Sequence, residues 1–138
     1  SVVEEHTDGR TLLDVGCGYG FLLAQGVIRN WNVCGIDSST EACQYASNSF
    51  GVYVSNIGWE ERVYPLEHRN HHKCLYDCIS ALWLLEHLPK PFDFLAWARA
   101  HLAPGGVLLL AVPQEWTYPQ TCANGLARSP YLSFHVET

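Results

Sequence analysis

The 138 residues predict an α/β fold: a mainly parallel sheet with helices on both faces. Three observations carry that prediction. Short apolar runs alternate with helix-length segments, a glycine-rich turn follows the first run, and Val107–Val112 is apolar without alternation. Alternating strand and helix patterns build parallel sheets through crossover connections, and a strand with no polar side must be covered on both faces.

The elements follow in order. Thr11–Val15 reads as the first strand, continuous in apolar residues except for Asp14, and Gly16–Gly20 as a tight turn. A helix is expected from about Tyr19 to Ile28, and a second strand over Val33–Ile36 that ends at Asp37. Ser38, Ser39 and Thr40 are suited to cap a helix over Thr40–Ser49, with Glu41 in its electropositive first turn. Val52–Val54 and Leu75–Ala81 read as the third and fourth strands, separated by the irregular stretch Ser55–Cys74. Pro91 opens a helix running to about Leu102, because proline is favoured in the first turn. Ala103-Pro104-Gly105-Gly106 should stop it, and Val107–Val112 is the fifth strand.

With 48% hydrophobic and 16% charged residues, the chain can bury a core as a single domain over residues 1–138. The recognisable pattern spans residues 11–113, and 114–138 is an irregular tail. Fourteen acids against eight bases argue against a nucleic-acid partner, which requires clustered Lys and Arg. No apolar run approaches the roughly 18 residues of a membrane helix, and Ser1–Arg10 lacks the apolar core of a signal peptide. Cys17, Cys34, Cys43 and Cys78 lie within apolar runs, where reduced cysteine behaves as a small hydrophobe. A soluble, cytoplasmic protein is the expectation. Methionine is absent altogether, so the chain reads as a processed product or a piece of a longer frame.

Asp14-Val15-Gly16-Cys17-Gly18-Tyr19-Gly20 carries most of the functional information. Alternate glycines let the backbone turn sharply and approach a ligand without Cβ contacts. In open parallel sheets the ligand crevice lies at the carboxyl ends of the strands, where strand order reverses. A phosphate-binding P-loop is excluded because no Gly-Lys-Ser/Thr follows. The dinucleotide spacing Gly-x-Gly-x-x-Gly/Ala is broken by Phe21. An acid two residues before Gly16 opposes a pyrophosphate and suits a ligand with a cationic group. Asp37, ending the second strand, can accept both hydroxyls of a ribose.

Leu12-Leu13-Asp14-Val15-Gly16-Cys17-Gly18-Tyr19-Gly20 resembles motif I of class I S-adenosylmethionine-dependent methyltransferases. Val33-Cys34-Gly35-Ile36-Asp37-Ser38-Ser39 resembles the segment that follows it. Tyr76-Asp77-Cys78-Ile79, Leu85-Glu86-His87-Leu88, Leu102-Ala103-Pro104-Gly105-Gly106 and Val112-Pro113 resemble the later motifs. The spacing is similar to the group that includes quinone-biosynthesis and small-molecule O-methyltransferases. The resemblance implies a Rossmann-like three-layer sandwich with strand order 3-2-1-4-5, strands 6 and 7 being absent or incomplete. It also implies S-adenosylmethionine as cofactor and a small-molecule methyl acceptor. By it, Asp14, Gly16, Cys17, Gly18, Tyr19 and Gly20 surround the methionine part, and Asp37 and Ser38 hold the ribose. Asn56 and Ile57 frame the adenine, and Ala81 and Leu82 touch the cofactor through backbone.

His87 is the candidate general base, since a neutral imidazole can take a proton from a hydroxyl; a structural role for the Glu86-His87 pair is the stronger expectation. Asp77 is expected to satisfy backbone donors. Some relatives hold a metal with an acid three residues before this glutamate, but Trp83 stands there, so no metal is expected. His68, His71, His72, Cys74 and Cys78 have zinc-ligand chemistry without knuckle spacing, and a solvated loop is expected instead. Trp59, Trp83, Trp97 and Trp116 are read chiefly as packing residues. Only Tyr131–Val136 could add a further strand, so an exposed sheet edge and a homodimer paired through it are a further expectation. The alternative to an active enzyme is a non-catalytic or truncated cofactor-binding domain, acting with a partner or as a fragment.

Overall fold

The structure, a computed structural model, describes residues 3–61 and 75–113. Five parallel strands form one sheet in the order β3-β2-β1-β4-β5. The strands are β1 (Thr11–Val15), β2 (Asn32–Ile36), β3 (Tyr53–Ser55), β4 (Tyr76–Leu82) and β5 (Leu102–Ala111). The helices are α1 (Phe21–Ile28), α2 (Thr40–Phe50) and α3 (Pro91–His101). The predicted architecture and strand order are those observed.

Two apolar clusters lie on opposite faces of the sheet. Leu12, Val33 and Cys78 pack with Cys17, Leu23 of α1 and Ala46 of α2. Leu13, Val15, Cys34, Ile36 and Ile79 pack with Phe94 and Ala98 of α3. Alternation along β1 therefore sends Leu13 and Val15 toward α3, and Leu12 toward α1. Asp14 takes the α1 side with Leu12, which puts a carboxyl where an apolar residue would otherwise sit.

Helix boundaries follow local chemistry. Gly20 has a left-handed backbone, φ 79°, so α1 begins at Phe21 and not at Tyr19. Ser39 caps α2, its Oγ accepting the Ala42 amide at 3.3 Å, and Gly51 ends the helix at φ 65°. Pro91 occupies the first turn of α3 as predicted.

The fourth junction differs from expectation. Ala103-Pro104-Gly105-Gly106 does end α3, but β5 already starts at Leu102 opposite Tyr76, and pairing resumes at Val107 opposite Cys78. The four residues are a bulge inside the element. Gly105 takes φ 73°, and a Cβ on Gly106 would stand 2.9 Å from the Ala103 and Tyr76 carbonyl oxygens. Asp77 behaves as expected of a structural acid: its Oδ2 accepts the Thr11 amide at 2.9 Å and the Thr11 hydroxyl at 2.6 Å. His68, His71, His72, Cys74, Trp116 and Tyr131–Val136 lie outside the described residues.

Candidate functional site

Because the strands are parallel, Gly16, Asp37, Asn56 and Trp83 all follow strands at one edge of the sheet. The turn after β1 is fixed by β2. The Gly16 and Cys17 amides both donate to the Ile36 carbonyl, at 2.8 and 3.1 Å. The Gly18 amide donates to Asp37 Oδ2 at 2.8 Å, and the Ser39 amide to Asp37 Oδ1 at 2.8 Å. Asp37 thus clamps the glycine turn to the start of α2.

The three glycines have different neighbours. A Cβ on Gly16 would lie 3.2 Å from Leu84 Cδ1, and one on Gly20 only 2.6 Å from Ala46 Cβ. At Gly18, with φ 51°, no described residue lies within 4 Å of that position. The turn is packed from outside at its two ends and open at its middle. Below it, Gly35 makes room for Cys17: an added Cβ would meet Cys17 Sγ at 2.7 Å and Leu23 Cδ1 at 2.8 Å.

These contacts bear on the ligand class. With the Gly16 and Cys17 amides committed to β2 and the Gly18 amide to Asp37 just beyond it, this turn is not an anion-binding nest. Two carboxyls close by add to the case against a pyrophosphate. Asp37 accepts one backbone donor per oxygen, whereas an ionised carboxylate has about four acceptor sites. Acceptor capacity remains for a pair of hydroxyls.

Asp14 lies beneath the turn, only 3% exposed, its Oδ1 accepting the Ser80 hydroxyl at 2.7 Å. Burial, reinforced by the charge of Asp37 and opposed by the Ser80 hydrogen bond, pushes its carboxyl up to about 7. Sequence reading missed Ser80. A polar residue within the apolar run Cys78-Ile79-Ser80-Ala81 was the available signal, because a buried hydroxyl needs a partner.

Asn56 is exposed and tied on both sides: its Nδ2 donates to the Asp37 carbonyl, and its Oδ1 accepts the Thr40 hydroxyl, each at 2.9 Å. Ile57 packs against the α3-side cluster. Ala81 is fully buried, and Leu82 ends β4 half-buried. Ser38 is exposed. Tyr19 is 46% exposed and meets Tyr45 of α2 edge-to-face with ring centres 5.1 Å apart. His87 ends the short 3-10 turn Leu85–His87, its side chain 76% exposed and Nε2 3.9 Å from Glu86 Oε1.

Of the tryptophans, Trp59 packs edge-on against Phe94 and Trp97, at 5.4 and 5.9 Å between ring centres. Trp83 differs. Its backbone is left-handed at φ 59°, its amide donates to the Ala111 carbonyl at 2.8 Å, and its side chain is exposed. A non-glycine residue in this conformation costs about 1–2 kcal/mol. The next residue, Leu84, is the one that packs against Gly16.

A parallel 3-2-1-4-5 sheet, a glycine turn clamped by the acid after β2 and an open cradle define the class: a Rossmann-like α/β domain with its crevice at the strand carboxyl ends. The chain belongs to the methyltransferase domain family, which it matches over residues 2–133. It is 31% identical over 106 residues to a ubiquinone biosynthesis O-methyltransferase of Haemophilus ducreyi, covering 75% of this chain and 45% of that protein. A protein of the same description from Paraburkholderia phytofirmans is 35% identical over 102 residues, covering 73% and 43%. The chain therefore spans less than half the length of these curated relatives. Among solved structures, the fold is similar to the sugar N-methyltransferase KedS8 from Streptoalloteichus, with TM-score 0.67, 24% identity, and coverage of 91% of this chain and 49% of that one. The plantazolicin methyltransferase BpumL in complex with SAH is likewise similar, with TM-score 0.63, 19% identity, and coverage of 81% and 43%.

Proposed function

We propose that this domain binds S-adenosylmethionine and takes part in methyl transfer to a small-molecule acceptor. The observation that carries the reading is the Asp37–Gly18 clamp beside the open face of Gly18. Family membership and the SAH bound to the similar plantazolicin enzyme support it.

In this reading Asp37 and Ser38 hold the ribose hydroxyls. Gly16, Cys17, Gly18, Tyr19 and Gly20 surround the methionine part over Asp14, and Asn56 and Ile57 border the adenine, with Ala81 and Leu82 beneath. When bound, the cofactor supplies a methyl group already activated by its sulfonium. The chain's own work is then alignment and exclusion of water, a contribution of several kcal/mol or more. A base is needed only for a weakly acidic hydroxyl acceptor, and solvent-exposed His87 is the candidate to take that proton.

Thermal shift with S-adenosylhomocysteine and with NAD tests the assignment. Stabilisation by the former alone, lost in Asp37→Ala, is the expected result; stabilisation by NAD alone overturns it. A ligand at 100 times its Kd adds about 2.7 kcal/mol. A second reading, a cofactor-binding part of a longer enzyme with no transfer activity of its own, is favoured by the share of the relatives that the chain spans. Label transfer from methyl-labelled cofactor to candidate phenols and sugars separates the two. The reading includes strand-paired self-association, because β5 has β4 as its one strand partner among the described residues; a monomer by light scattering removes that element.

A further inference from the structure

Asp14 has a place in the reading above but no proton chemistry. Its carboxyl is buried, and the Ser80 hydroxyl that donates to it at 2.7 Å also lies 3.4 Å from the Leu13 carbonyl. Ser80 therefore has a second acceptor in reach. Against an ionised Asp14 it donates to the carboxylate. Against a neutral Asp14 it can turn its proton to Leu13 and accept the carboxyl proton. Both protonation states keep a hydrogen bond, so neither is excluded by burial.

The described titratable groups around Asp14 do not compensate a negative charge. Asp37, at the end of β2, acts on it repulsively. Cys17 of the turn and Cys78 of β4 feel the Asp14 charge in return; burial raises both thiols, Cys78 to about 12. Cys43 of α2, its Sγ 3.4 Å from the Asp37 carbonyl, is raised as well, by burial first and then by the Asp37 charge. The α1 side contributes Leu23, which is apolar. Among the described residues, no cationic side chain is among the groups acting on Asp14.

We propose that a cationic amino-acid ligand entering this crevice binds with release of one proton from Asp14, so that cofactor binding is proton-linked. The inference rests on the adenosyl amino acid reading above. The proton goes to the solvent buffer, and the ligand's ammonium supplies a positive charge that no described residue supplies there. The position of Asp14 near neutrality sets the range: binding strengthens as pH rises toward 7 and levels off above it.

Calorimetric titration of the 138-residue chain with S-adenosylhomocysteine, in buffers of different ionisation heat, counts the protons. At about pH 6 the expected release is close to one proton and at about pH 7 about half of one, with affinity falling nearly tenfold per pH unit below about pH 6. At about pH 8.5 the expected release is close to zero. Asp14→Asn assigns the proton: it should bind more weakly and with no release. Ser80→Ala, which deletes the donor to the ionised form, should move the midpoint to higher pH and serves if Asp14→Asn does not fold or does not bind. Binding without proton exchange overturns this inference and leaves the cofactor reading standing. Release undiminished in Asp14→Asn, or a midpoint unmoved in Ser80→Ala, overturns it too. No binding at any pH overturns the cofactor reading, and this inference with it.

Discussion

Asp37 Oδ2 and the Gly18 amide are joined at 2.8 Å, so the acid that ends β2 also shapes the turn that ends β1. In the proposed reading, ligand contact and local folding share one side chain. Asp37→Ala frees two amides, of Gly18 and Ser39, and should cost about 2 kcal/mol of stability without any ligand. Urea denaturation with and without S-adenosylhomocysteine separates this loss from the loss of binding, because only wild type should gain from the ligand.

Gly18 and Gly20 make a contrasting pair. Both have positive φ, but an added methyl meets no described residue at Gly18 and collides with Ala46 at Gly20. Gly20→Ala should therefore lose about 2–4 kcal/mol, combining backbone strain with overpacking. Gly18→Ala should lose only about 1–2 kcal/mol yet abolish the ligand-induced shift. Equal binding by the Gly18 variant and wild type would show that the open face is not the ligand's.

Asp14 makes stability fall with rising pH, the reverse of a salt-bridged acid. Its carboxyl lies near 7 in the folded chain against 3.8 for the ordinary group, so between those values the folded state holds a proton that the unfolded state has lost. The stability difference between wild type and Asp14→Asn should shift against wild type by a few kcal/mol from about pH 4 to 7 and stay constant above. Chemical denaturation of both proteins across that range measures it.

The buried thiols should be inert. Cys17, Cys34 and Cys78 are buried, and burial first, then nearby acids, raises Cys17 and Cys78 above the ordinary thiol range. Iodoacetamide on the native chain at about pH 8, followed by peptide mapping, should leave these three unmodified. All three should react in urea.

The sheet was legible because buried parallel strands are written as plain apolar runs, and the turn because three alternate glycines leave few alternatives. The start of β5 was not. Pro104, Gly105 and Gly106 are stop signals at any helix end, and only the register of Tyr76 with Leu102 makes them a bulge within the strand. Within the site, Asp14, Gly18 and Asp37 were visible as residue types. Their connections were not, because Ser80 stands 66 residues from Asp14, and Thr40 stands 16 from Asn56. Trp83 gave no warning of its left-handed backbone, since nothing in its side chain favours that conformation.

The strand order also governs how the chain can fold as it is made. β1 leaves the ribosome first among the strands but sits in the middle of the sheet, between β2 and β4. Its β4 side stays unpaired until synthesis has passed Leu82, and the Asp14 carboxyl waits as long for Ser80. A nascent chain stalled before that point should remain open to proteases and chaperones, and protection should arrive in one step once β4 docks.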